Sequence, residues 1–219
     1  MPLVDKLLQL PRLQRQKEVQ KAVLPLTGEA QQRDKRQCSM EERTGEAFAA
    51  DERLTVVGRK LQAGEMAPDY SLEYTDLIDM TVRSTRLADS EGMVRLFSVV
   101  NSLTRPLCHR QTWRWEELSA SLPDGICLYT ISADLPYAQA HWQATERVMH
   151  QALSAHRDEQ FGVAYGVWLK QWQLLQRAVF VIDQTGRICY AEYVADQMHE
   201  PDYAAAIETA RKQSLMFGE

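Results

Sequence analysis

Residues 93–109 read MVRLFSVVNSLTRPLCH. The first eight, MVRLFSVV, form a near-continuous apolar run of strand length, the pattern of a strand buried in the middle of a sheet. The run stops at Asn101. Pro106 suits the first turn of a helix, where a missing N–H costs nothing and the ring pre-sets φ. A helix is therefore expected over 106–120, which puts Cys108 in its opening turn. Free N–H groups and the positive end of the helix dipole favour a thiolate there, and the thiolate is the nucleophilic form of cysteine. A cysteine placed this way and reached by solvent would be reactive. The same spacing also suits a buried structural cysteine, and spacing alone does not choose between them.

Working outward, ICLYTISAD (126–134) reads as the next strand. Asp134 is expected to cap a helix running to about Ala144, with Pro136 in its first turn. RDEQFGVAYGV (157–167) suggests a short helix. AVFVID, QTGR and ICYAEYVA (178–195) form a β-hairpin with Asp183 and Gly186 in the turn. PDYAAAIETARKQ (201–213) closes the chain as an amphipathic helix. Upstream, LTVVGRKLQAG (54–64) reads as a hairpin about Gly58, and residues 68–87 as loop and edge strands. Strand, helix, strand, helix, hairpin and final helix is the order of a thioredoxin-like α/β domain, here expected over 54–219 as a mixed sheet flanked by helices. Residues 1–53 are expected to be an N-terminal helical or partly disordered extension. Leu3, Leu7, Leu10 and Leu13 recur at helical spacing, Pro11 ends or kinks that helix, and 28–53 is polar.

Composition narrows the function. Among 219 residues, Lys+Arg number 25 and Asp+Glu 30, a net charge of −5, so nothing electrostatic favours nucleic acid. No apolar run approaches the ~20 residues of a membrane span, and the N-terminus lacks the pattern of a signal peptide. The cytoplasm is the expected compartment. Cys38, Cys108, Cys127 and Cys189 form no CxxC and no zinc-ligand spacing, and so few cysteines do not make a disulfide scaffold. His109, His141, His150, His156 and His199 are scattered, so no metal site is expected, and no cofactor.

Six segments carry a resemblance: GEMAPDYSL (64–72), NSLTRPLC (101–108), YTISADLPYAQAHW (129–142), HRDEQFGVAYGV (156–167), LLQRAVFVIDQTGRICYAEYV (174–194) and EPDYAAAI (200–207). In order and spacing they resemble the thiol peroxidase subfamily of the peroxiredoxins, the atypical two-cysteine type. The resemblance implies that Cys108 attacks hydroperoxides and becomes a sulfenic acid. It implies that Arg177 holds the thiolate and polarises the peroxide. It also implies a resolving cysteine, reduction by thioredoxin or a small thiol, and a homodimer with the active-site helix near its interface.

Three positions depart from the pattern. Asn101 stands where the family has proline. Arg105 stands where it has the threonine three residues before the cysteine, and Thr104 lies one residue early. That threonine hydroxyl donates to sulfur and accepts from peroxide, whereas arginine carries five donors and no acceptor. Arg105 could therefore stabilise a thiolate but not accept, unless the loop re-aims Thr104. Finally, Gln143 occupies the resolving position and cannot form a disulfide. Cys127 and Cys189 fall in strands and read as structural positions, and Cys38 in the extension would serve as a substitute resolver only where a mobile arm brings its Cα within ~7 Å of that of Cys108. Two function classes stay open: a weakened thiol peroxidase working through Cys108, Arg177 and Thr104, or an impaired peroxiredoxin-fold protein serving as a redox sensor or binding module.

Overall fold

The computed structural model describes residues 41–216. A seven-stranded mixed sheet forms its centre. The strands are β1 (Glu42–Ala49), β2 (Glu52–Val57), β3 (Ser71–Thr75), β4 (Val82–Arg86), β5 (Val94–Val99), β6 (Ile126–Ser132), β7 (Gln151–Ser154), β8 (Trp168–Leu169), β9 (Leu174–Leu175), β10 (Ala178–Ile182) and β11 (Ile188–Tyr193). The central sheet runs β11-β10-β5-β6-β7-β3-β4, and β1-β2-β8-β9 form a second sheet. Along the chain the helices are α1 (Pro106–Ser119), α2 (Pro136–Glu146), α3 (Gln160–Ala164) and α4 (Tyr203–Met216). β5, β6 and β7 are parallel neighbours, joined through α1 and α2, while β10 runs antiparallel to β5. This is the thioredoxin-like α/β arrangement expected from the element order.

Every residue of β5 and of β10 is buried. Two apolar layers account for this. On one face Phe97, Val99, Ile131, Phe180 and Ile182 pack with Tyr70, Phe161 and Tyr165. On the other, Val94, Leu96, Val179 and Val181 meet Trp115 of α1 and Ala206, Ile207 and Ala210 of α4. Strands covered on both faces need side chains that are apolar in both directions, which is why MVRLFSVV and AVFVI do not alternate. No helix among the described residues is long and apolar enough to cross a membrane.

Two expectations fail at the N-terminal end. The boundary expected at residue 53 cuts through a hairpin: β1 pairs along β2, joined at Ala50–Asp51, so residues 42–53 are strand and turn rather than helix or disorder. A register shift between Thr44 and Ala47, with Gly45 at φ +77°, breaks the alternation that would have marked this strand. The hairpin expected about Gly58 does not form. Gly58 lies at the exit of β2 with φ +97°, and a Cβ there would sit 2.0 Å from the Val163 carbonyl oxygen. Glycine is needed because two backbones touch, not because the chain reverses. The helix expected around Leu3–Leu13 and the position of Cys38 lie outside the described residues.

Candidate active site

α1 begins where the sequence places it. Pro106 is its first residue, and Cys108 shares one face with Gln111, Thr112 and Trp115, all buried. The i, i+3, i+4, i+7 spacing aims these four side chains at the sheet. Ala178 pairs with Val99, so the antiparallel register sets Arg177 beside the chain as it leaves β5. The two elements thereby bring Cys108 and Arg177 together: Arg177 Nη2 lies 3.4 Å from Cys108 Sγ.

Arg177 is 1% exposed. Its guanidinium donates to Gln111 Oε1, to the Gln197 carbonyl (3.2 Å) and to the sulfur. Its backbone N–H donates to Gln197 Oε1 at 2.9 Å, while Nε has no partner. Among the described residues no carboxylate pairs with this buried cation. Burying a guanidinium is costly unless hydrogen bonds or an opposite charge compensate, and here the compensation among the described residues comes from the hydrogen bonds to Gln111, Gln197 and the sulfur. Gln111 is itself fixed by donating to Ser98 Oγ at 2.8 Å.

Asn101 is fully buried and faces the same sulfur. Its Nδ2 donates to the Leu175 carbonyl (2.6 Å) and to Gln197 Oε1 (3.0 Å), which leaves Oδ1 toward Cys108 Sγ at 3.9 Å. Thr104 is not brought to the sulfur: it is exposed, and its hydroxyl pairs with Ser102 Oγ at 2.9 Å. Nor is Arg105 paired with the sulfur. Its guanidinium carbon lies 4.5 Å from the centre of the Trp172 ring, a cation–π contact, and it makes no hydrogen bond to Cys108.

Asp134 does not cap α2. Leu135 holds the cap position and makes no side-chain cap bond. The Asp134 carboxylate instead accepts from Ser102 Oγ (2.7 Å), the Leu103 N–H (2.8 Å) and Ser132 Oγ (2.8 Å), tying the turn before α1 to the end of β6. Gln143 is buried, and its Nε2 donates to the His150 carbonyl at 2.8 Å, fastening α2 to the approach to β7. Cys127 and Cys189 are half-buried free thiols in β6 and β11. Burial and the neighbouring Asp183 carboxylate push the Cys189 thiol up from its ordinary value.

The burial of Cys108 settles one point that spacing left open. The catalytic reading needs the sulfur to be reached by solvent; Cys108 has no exposed surface and packs with Val100, Leu103, Trp142 and Val148. Any reagent must first displace part of that lining. Gln111 and Gln197 were not foreseen as site residues. Gln111 carried a signal, a polar residue three positions past Cys108 on an otherwise inward face. Gln197 carried none, because only the fold returns residue 197 to the end of β5.

The architecture is that of a thioredoxin-like α/β protein with a cysteine–arginine pair at one end of the central sheet. The AhpC/TSA family model matches residues 63–191. Thiol peroxidase from Bacillus subtilis (strain 168) is 40% identical over 159 residues, covering 72% of this chain and 92% of that protein. Thiol peroxidase from Halalkalibacterium halodurans is 42% identical with the same coverage. Among solved structures, a peroxiredoxin-like protein from Aquifex aeolicus superposes with TM-score 0.68 at 25% identity, covering 80% of this chain and 98% of that one. The chain belongs to the AhpC/TSA family, and its relatives support the thiol peroxidase subfamily of the peroxiredoxins.

Proposed function

We propose that this chain reduces hydroperoxides through Cys108 in a cycle that uses one cysteine of its own. The Cys108 thiolate attacks one peroxide oxygen, and the O–O bond breaks. The other oxygen leaves as hydroxide or alkoxide and takes up a proton. Sulfur is oxidised by two electrons to a sulfenic acid while the peroxide is reduced to water or an alcohol. An external thiol then condenses with the sulfenic acid, releasing water, and a second thiol displaces the mixed disulfide. A small thiol or a thioredoxin-type dithiol fits that role, because Gln143 offers no sulfur. The relatives named thiol peroxidase support the reaction class.

The observation that carries this reading is Arg177 Nη2 at 3.4 Å from Cys108 Sγ at a helix start. Arg177 would hold the thiolate and meet the charge that develops on peroxide oxygen. Turnover should be slow compared with a chain that has both the hydroxyl acceptor and a resolving cysteine. Hydrogen-peroxide consumption with dithiothreitol tests it: consumption should vanish in Cys108→Ser, and a rate equal to that control would overturn the assignment. The sealed state of Cys108 favours a second reading, a redox sensor that oxidises and persists. Stoichiometric sulfenylation without catalytic consumption would select that reading.

A further inference from the structure

Peroxide attack needs two kinds of hydrogen-bond partner near the sulfur: donors for the oxygen that gains charge and an acceptor for the peroxide O–H. Arg177 provides donors. Arg105 has no acceptor and stacks on Trp172, and Thr104 is paired with Ser102. We infer that Asn101 Oδ1 is the acceptor that orients the peroxide, in place of a threonine hydroxyl. This rests on the peroxidase reading and assigns a catalytic residue to it.

The amide orientation at Asn101 is fixed by its surroundings. Nδ2 faces two oxygens, Leu175 O and Gln197 Oε1. Gln197 is fixed in turn, since its Nε2 donates to the Val194 and Ala195 carbonyls while Oε1 accepts from Asn101 and from the Arg177 N–H. A rotation of the Asn101 amide would set oxygen against oxygen twice. Oδ1 is therefore held toward the sulfur at 3.9 Å. A peroxide oxygen about 3 Å from sulfur, a near-attack distance, also lies within about 3 Å of Oδ1 along an arc between them, at ordinary hydrogen-bond length. The 3.4 Å gap from sulfur to Arg177 Nη2 allows the same. Oδ1 takes no proton. It accepts the O–H of the attacked oxygen and, once that oxygen is on sulfur, the S–O–H of the product.

An alkylating agent such as iodoacetamide carries no O–H and needs no acceptor at Oδ1, whereas the peroxide does. Peroxide and a plain alkylating agent should therefore respond differently to its removal. The test compares second-order rates of Cys108 modification by hydrogen peroxide and by iodoacetamide, read by peptide mass in the full chain. Asn101→Leu should leave alkylation unchanged or faster and cut oxidation by about 10²-fold, the typical cost of losing one oriented active-site partner. Adding Arg105→Thr to that variant should recover at least about tenfold of the oxidation rate. An unchanged oxidation-to-alkylation ratio in Asn101→Leu overturns the inference. Should Asn101→Leu not fold, Arg105→Thr alone decides: a gain of under about tenfold supports an acceptor already present, and a larger gain overturns it. If peroxide modifies wild-type Cys108 no faster than Cys127 or Cys189, the peroxidase reading itself is what fails.

Discussion

Asp134 Oδ2 accepts the Leu103 N–H at 2.8 Å, joining two turns that lie 31 residues apart in sequence. With Ser102 and Ser132 on the same carboxylate, it clamps the segment that carries Cys108 into α1. Asp134→Ala leaves three donors without their charged acceptor. The expected cost is about 2 kcal/mol, within the range for hydrogen bonds to a charged group, read as a lower urea midpoint at unchanged m-value. Because the turn also seals the sulfur, alkylation of Cys108 should accelerate by roughly the tenfold that 1.4 kcal/mol represents. Loss of stability without faster alkylation would separate the clamp from the seal.

Arg177 meets Gln111, Gln197 and Cys108 with a planar fork. Lysine is a point charge with three donors on one atom and cannot reach all three in the same way. Arg177→Lys should fold, keep a cation nearby and still lower kcat/KM for peroxide by about 10²-fold. Arg177→Met should lose more and also destabilise, since the Gln111 and Gln197 acceptors are left buried and unpaired. A lysine variant with wild-type kcat/KM would show that charge alone suffices.

Legibility in the sequence followed burial. β5, β6, β10 and α1 were readable because their side chains must satisfy a two-sided core, so apolar runs and helical spacing state the environment directly. The hairpin turn at Asp183–Gly186 was readable from turn chemistry, and it forms. β1 was not, because an edge strand of a small sheet buries only Arg43 and Ala47, and its bulge erases the two-residue period. At the site, Cys108 and Arg177 could be found, the first from local pattern and the second from resemblance. Asp134 was found with the wrong role: an acid before Pro136 looks like a helix cap, and only the fold shows Ser102 and Leu103 nearer. Asn101 was marked as a departure, but the direction of its oxygen depends on Leu175 and Gln197, which no local window contains.

Cys189 contrasts with Cys108. Burial and Asp183 hold its thiol above the ordinary range, with Oδ2 of that carboxylate 3.8 Å from the sulfur. A thiol that resists ionising is a poor nucleophile. Brief dilute peroxide should add 16 Da (one oxygen) at Cys108 and leave Cys189 unmodified, by peptide mass. Asp183→Asn removes the repelling charge and should raise Cys189 reactivity at pH 8 without changing peroxide turnover. Equal oxidation of the two thiols would show that the Arg177 contact confers no selectivity.

Acid stability should depend on Glu116. Its carboxylate accepts from His150 Nδ1 (2.6 Å) and from the His150 N–H (3.1 Å), linking α1 to the turn before β7. The His150 ring hydrogen bond is the main cause that lowers Glu116 from 4.5 to about 2; burial opposes it, and the backbone N–H groups of His150 and Met149 assist. A group with a lower pKa in the folded state stabilises the fold above its unfolded value. That contribution is full above about pH 4.5 and is lost as pH falls toward about 2. Glu116→Gln keeps the shape and removes the titration. Its stability should lie below wild type at pH 7, and the gap should close between pH 4.5 and 2 in urea unfolding. A gap that stays constant across that window would mean that Glu116 contributes through packing alone.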